Sequence, residues 1–227
     1  MGSIDFYNVS LWVLPVLFAV TLHEAAHGFA AWRLGDDTAY RLGRVSANPL
    51  RHIDPVGTIL IPGMLFLSGS QFLFGYAKPV PVQFRNLRNP RRDSILVAAA
   101  GPAANLLIAL TSAILINAAL ALPEQAKDWI GTTLLNSIKL NIGLAVFNLL
   151  PIPPLDGSRV LLGLLPKPLA AVYAKLFRYG LLLVLATIFV LPLVGDKLGM
   201  NLDIIGWMMR RPVQYLWHFL LPLTGLS

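Results

Sequence analysis

Cysteine is absent from the 227 residues, which excludes disulfides, thiolate metal ligation and a cysteine nucleophile together. Charge is scarce as well: Asp, Glu, Lys and Arg make up 13% of the chain, against about 25% in ordinary soluble domains. Acids are the rarer sign, 11 against 18 basic residues. Such a surplus raises nucleic acid as a partner, but the basic residues sit between apolar runs without interleaved aromatics, so no nucleic acid is expected. No internal repeat or low-complexity linker divides the chain, and one domain over 1–227 is expected. The opening apolar run has neither a basic leader nor a small-residue cleavage site, so it reads as a retained anchor. What fills the chain is hydrophobic: 56% of residues, with a mean hydropathy of +0.67. This is the composition of an integral membrane protein, and juxtamembrane charge accounts for the basic residues.

A membrane helix needs about 20 mostly apolar residues. Runs of that kind occupy 6–34, 56–75, 94–122, 129–150 and 179–195, and a further stretch, 202–223, is interrupted by Arg210, Arg211 and Pro212. The expected fold is an all-α polytopic membrane protein with roughly four to six membrane helices. Proline-containing connections at 123–128 and 165–169 read as turns. Basic residues cluster in 33–55, 77–93 and 159–178, whereas 123–128 and 196–203 are poor in them, which assigns the three basic segments to the cytoplasm. Segment 56–75 lies between two of them. It either dips into the bilayer and returns, bending at Pro62-Gly63, or crosses against the charge rule. The 202–223 stretch reads as an amphipathic helix at the interface, with a tilted crossing as the alternative. In 38–58, Tyr, Val and Thr punctuated by Gly43 and Pro49 predict a small membrane-associated β-structure after the first helix.

The first apolar run carries "HEAAH", His23 to His27. On a helix, positions four apart project about 40° from one another, on one face, as two ligands of one metal must. Glu24 lies beside them, able to reach a metal's water without being a ligand, and H-E-x-x-H is the arrangement of zinc metalloproteases. Polar groups at membrane depth are costly unless paired or metal-bound; helical histidines that hydrogen-bond inside a bundle are the alternative. A catalytic zinc site takes three protein ligands and keeps one position open. The carboxylate that suits the third place is Asp156 in "FNLLPIPPLDGSRV", where prolines end the helix and Gly157 allows a sharp turn. Its alternative is an ion pair with Arg159 at a helix end.

"HEAAH" and "NLLPIPPLDG" (148–157) together, with "NPLRHIDPVGT" (48–58), "AKPVPV" (77–82), "NPRRD" (89–93) and "AGPAAN" (100–105), resemble the site-2 protease family of intramembrane zinc metalloproteases, its short bacterial members above all. The resemblance runs from about residue 20 to 165 in family order and leaves 170–227 as additional C-terminal helices, with no PDZ or CBS module. It implies a single zinc ion held by His23, His27 and Asp156. Glu24 then serves as general base and proton donor, and Asn148 helps bind the substrate backbone or the developing oxyanion. Asn148 can also be read as an asparagine hydrogen-bonding between helices. The resemblance further implies a β-structure after the HExxH helix that pairs with an extended substrate. The substrate would be a transmembrane protein cut in or near its membrane segment, as in regulated intramembrane proteolysis. The end of the HExxH helix and the LDG motif both adjoin basic segments, which puts the site toward the cytoplasm. The competing classes are a transporter or channel lined by the intramembrane His, Asp and Lys residues, and a binding homologue without activity.

Other polar residues have plainer readings. His52 reads as a surface loop histidine near a carboxylate, with a supporting role at the metal as the alternative. His218, between Trp217 and Phe219, reads as interfacial. Asn105 reads as a contact to a neighbouring helix, which the small residues 98–101 let approach closely. Lys139 either snorkels or faces a wet cavity, and Asn141 and Asn148 share a helix face directed into the bundle.

Overall fold

The structure, a computed structural model, describes residues 6–60, 64 and 78–225. Its first helix, α1, spans Phe6–Arg33. It stops where Gly35 adopts φ 117°, a conformation that side-chain-bearing residues avoid, and the Asp36 N–H closes back on the Ala31 carbonyl at 2.9 Å. A single-turn helix, α2 (Thr38–Arg41), follows.

Helix α3 spans Pro90–Ala119. Proline at its first position costs nothing, since that N–H would have no helical partner, and Asp93 reaches back to accept from the Asn89 N–H at 2.7 Å. Helix α4 is Glu124–Asn148, and the short α5 is Asp156–Leu164. Helix α6 is one helical run, Lys167–Leu198, which tightens to a 3-10 pattern over Lys175–Tyr179 and loosens to a π pattern over Ala186–Val190. The last, α7, is Ile204–Leu220, capped by the Asp203 carboxylate on the Gly206 N–H at 2.8 Å.

Four of these helices are long and apolar enough to cross a membrane: α1, α3, the Ala126–Asn148 part of α4, and α6. Helix α3 lies at the centre, packed against α1, α4 and α5. Away from the polar end of the bundle, Ala109, Ala113 and Ile116 of α3 meet Ile138, Ile142 and Val146 of α4. The small Ala109 and Ala113 of α3 allow this close helix–helix approach. Helix α7 lays Met209, Val213, Leu216 and Trp217 onto the same cluster and leaves Arg210 and Arg211 exposed. That division matches the amphipathic expectation. Lys139 is exposed, with its ammonium 5.8 Å from the Trp217 ring centre.

The expected β-structure is not found: among the described residues there is no strand. Residues 38–58 instead form α2, a 3-10 turn at Pro49–Arg51 and connecting turns. Local side chains take the backbone donors that a ladder would need. Asn48 accepts from the Leu50 N–H at 3.0 Å, and Asp54 accepts from the Val56 and Gly57 N–H groups at 3.0 and 2.7 Å. Pro49 and Pro55 supply none. Residues 55–60 form a π-helical turn; the expected dip or crossing of 56–75 lies mostly outside the described residues.

Residues 78–83 run as an irregular strap along the end of α1. The Lys78 N–H donates to the His52 carbonyl at 3.0 Å, and Arg44 donates to the Lys78 carbonyl at 2.6 Å. At its far end the Gln83 N–H donates to Asp36 at 2.6 Å. Asp36 is fully buried and also accepts from the Thr38 hydroxyl at 2.5 Å and the Asn86 amide at 3.2 Å. Burial alone would raise its pKa, but these donors outweigh it and hold the carboxyl below the usual carboxylate range.

Candidate metal centre

Helix α1 brings His23 and His27 to the same face, and the end of α4 turns through Pro151–Leu155 to deliver Asp156 at the first position of α5. Gly157 lets this turn close: a Cβ there would collide with the Leu149 carbonyl. The three ligand atoms form a nearly equilateral triangle. His23 Nε2 lies 3.1 Å from His27 Nε2, and Asp156 Oδ2 lies 3.2 and 3.3 Å from the two nitrogens. Tetrahedral zinc with nitrogen and oxygen ligands at about 2.0–2.1 Å spaces its ligands about 3.3–3.4 Å apart. The triangle is of that size.

The protonation of the imidazoles follows from their outer partners. His27 Nδ1 lies 2.7 Å from the Val97 carbonyl, which can only accept, so the proton sits on Nδ1 and Nε2 presents a lone pair. His23 Nδ1 lies 2.6 Å from Asn105 Oδ1. The orientation of that amide is set by its own donors, since Asn105 Nδ2 donates to the Ala19 carbonyl at 3.2 Å and to Asn141 Oδ1 at 2.8 Å. Asn141 is oriented in turn by donating to the Ser137 carbonyl at 2.9 Å. Both asparagines are fully buried. Two lone pairs and a carboxylate oxygen therefore face one point, and Asp156 Oδ2 is buried without a hydrogen-bond donor. Three acceptors converging with no donor repel one another unless a cation joins them. His23, His27 and Asp156 fit a zinc ion, and the outer hydrogen bonds are those that orient metal-bound imidazoles.

Two elements shape the site from outside. Gly101 of α3 lies directly against the imidazoles: a Cβ there would fall onto His27 Nε2 and come within 2.6 Å of His23 Cε1. Glu24, half-buried beside the pair, accepts a 2.7 Å bond from the Val80 N–H of the strap through Oε2. That bond fixes the carboxylate and leaves Oε1 for a proton.

Asn148, at the end of α4, is half-buried and donates to the Leu144 carbonyl of its own helix at 3.0 Å, which leaves a second amide hydrogen. Asp156 makes no ion pair with Arg159, whose guanidinium lies 4.3 Å from the Phe84 ring centre. His52 is buried rather than a surface residue and pairs with the Ser46 carbonyl at 2.9 Å, apart from the three ligands. His218 is exposed and bonded to the Gln214 carbonyl. Sequence reasoning missed the parts played by Asn105, Asn141, Gly101 and the Val80 amide. The available signal was spacing: Asn105 lies one helical turn beyond Gly101 and so shares its face.

Comparison with known proteins agrees with this chemistry. Residues 118–191, which include Asn148 and Asp156, match the model of peptidase family M50. The chain is 38% identical over 200 residues to "Putative zinc metalloprotease YwhC" of Bacillus subtilis, covering 85% of this chain and 87% of that protein. It is 36% identical over 148 residues to "Putative zinc metalloprotease Rip2" of Mycobacterium tuberculosis, covering 64% of this chain and 53% of that one. The Mycolicibacterium smegmatis protein of the same name is 33% identical over 143 residues, with 62% and 52% covered. No solved structure matches. A multi-pass chain with a zinc-sized triangle of His23, His27 and Asp156, akin along most of its length to such a relative, is a zinc metalloprotease and belongs to peptidase family M50, the site-2 proteases.

Proposed function

We propose that the chain is an intramembrane endopeptidase that hydrolyses a peptide bond within or beside a transmembrane segment of another membrane protein, as one step of regulated intramembrane proteolysis. The observation that carries this reading is the convergence of His23 and His27, on a helix with the length and composition to cross a bilayer, with Asp156, delivered just beyond the end of another such helix. One membrane-embedded domain comprises the site. The basic segments 77–93 and 159–178 adjoin it, which favours a site opening toward the cytoplasm.

The proposed roles follow from the atoms available. His23, His27 and Asp156 would hold zinc, which when bound would supply Lewis acidity toward the scissile carbonyl and the attacking water. Glu24 takes the proton from the attacking water at Oε1 and returns it to the departing amine, while the Val80 N–H keeps Oε2 in place. Asn148 offers its second amide hydrogen to the substrate backbone or to the oxyanion. A helical substrate hides its amides, so it must unwind locally before Glu24 can act on water beside it.

The test is Glu24→Gln in purified protein with a transmembrane substrate. Cleavage should fall by at least about a hundredfold while zinc content stays at the wild-type level. Cleavage by the variant at the wild-type rate would overturn the assignment of Glu24. Substrate transport without proteolysis by the wild type would overturn the endopeptidase reading.

A further inference from the structure

Away from the metal centre, a cavity of about 430 Å³ opens between the start of α3, the outer side of α5 and the first turn of α6. Its cations are Arg91, Arg159 and Lys167, and no acidic residue lines it among the described residues. Arg91 is already committed: Nε donates to the Gly163 carbonyl at 2.9 Å, and Nη2 to the Leu165 carbonyl at 2.5 Å. Arg159 is different. Its guanidinium is held between the Phe84 and Phe177 rings, 4.3 and 5.4 Å from their centres. Among the described residues no acceptor takes any of its N–H groups. Its one carboxylate neighbour, Asp156, faces the histidines. Lys167 is exposed and also without an ion pair among the described residues. The first turn of α6 adds the N–H groups of Lys167 and Leu169, which precede its first backbone bond at Ala170, to the same positive field.

A half-buried, aromatic-clamped guanidinium with five unspent donors is a site for a multidentate anion. We propose that this cavity binds the phosphate headgroup of an anionic membrane lipid. The surroundings favour a lipid over a soluble anion. Apart from the cations and Ser94, whose hydroxyl is spent on the Arg91 carbonyl, the rest of the described lining is apolar, with Phe84 and Leu162 among it. Beside it Leu164, Leu169 and Val172 are 65%, 56% and 63% exposed. These side chains continue onto α6, of whose apolar window only 11% is buried. Cations at one level with bare apolar surface alongside reproduce the order of headgroup and acyl chain. Basic pockets beside membrane helices bind anionic headgroups in this way.

The experiment uses the full chain, purified in an uncharged detergent and melted in mixed micelles with phosphatidylglycerol or with phosphatidylcholine of the same chain length. Phosphatidylglycerol near saturation should raise Tm by about 5–10 °C over phosphatidylcholine. The double variant Arg159→Gln/Lys167→Gln should lose that difference while keeping wild-type zinc content as its folding control. If the double variant fails to retain zinc, Lys167→Gln alone, at an exposed position, should reduce the difference, and Arg159→Lys, which keeps the charge but loses the planar fork, should retain only part of it. Equal melting in the two lipids overturns the proposal, as does an undiminished difference in the charge-neutralised variants. Inorganic phosphate reproducing the shift would assign the cavity to a soluble anion. An acidic peptide displacing the lipid at lower concentration than the lipid itself would assign it to a protein partner.

Discussion

Helices α4 and α6 both have the means to cross the membrane, yet they meet their surroundings in opposite ways. In α4, 44% of the apolar window is buried inside the protein; in α6 the share is 11%. The more buried of the two is the less apolar. Thr133, Asn136, Ser137 and Asn141 of α4 all lie in the interior, whereas Leu181, Leu182, Phe189 and Val190 of α6 are exposed. Where the solvent is hydrocarbon, burying leucine gains little, so the interior is claimed by groups that lipid cannot satisfy. The metal centre extends this pattern, with His23 linked through Asn105 to Asn141 and so to the middle of α4.

The contrast can be broken most severely at its polar end. Gly101→Ala places a methyl group where the imidazole nitrogens lie, so zinc should fall from about one ion per chain to near none by metal analysis. Full occupancy would mean that α1 and α3 are not so close. Next in size is Ile142→Ala, at a fully buried position, which should cost about 2–5 kcal/mol in denaturant unfolding in micelles. Asn105→Ala leaves the His23 Nδ1–H without its acceptor and should weaken zinc binding about 10–100-fold in a chelator competition. An unchanged affinity would reduce the asparagine pair to helix glue.

A smaller effect with a pH signature is expected outside the spans. Asp36→Asn removes a charged acceptor whose bonds are each worth about 1.5–3 kcal/mol and replaces them in part. The folded pKa of Asp36 is lowered, so its contribution is complete above the unfolded value of about 3.9 and is lost as pH falls through the lowered one. Wild type should therefore melt above the variant at pH 7, with the gap closing on acidification below about pH 4. A gap that widened there would reverse the assignment. Least of all should come Leu182→Ala on α6, a residue 66% exposed, where a change within about 0.5 kcal/mol is expected. A loss as large as that of Ile142→Ala would show that α6 is covered by protein.

Much of this was legible in the chain itself. The spacing of His23 and His27 fixes their shared face, and a lone carboxylate after Pro151, Pro153 and Pro154 has few other uses in an apolar setting. The amphipathic character of α7 also follows from Arg210 and Arg211 interrupting an apolar run. The β expectation for 38–58 failed because propensity does not say where N–H groups will be satisfied, and here Asn48 and Asp54 took them locally. The partners of the site were out of reach for another reason. His23 and Asn105 are 82 residues apart, and Glu24 and Val80 are 56 apart. Such pairs are created by how whole helices pack, which no local pattern encodes.

The strap contact to Glu24 has a practical sequel. Its donor is a peptide N–H, so swapping the side chain at position 80 for any other except proline leaves the donor present. Alanine scanning would pass over it, and related chains are free to vary that residue while keeping the bond. A probe of the backbone itself, such as an ester in place of the 79–80 amide, is the kind of chemistry that reaches it.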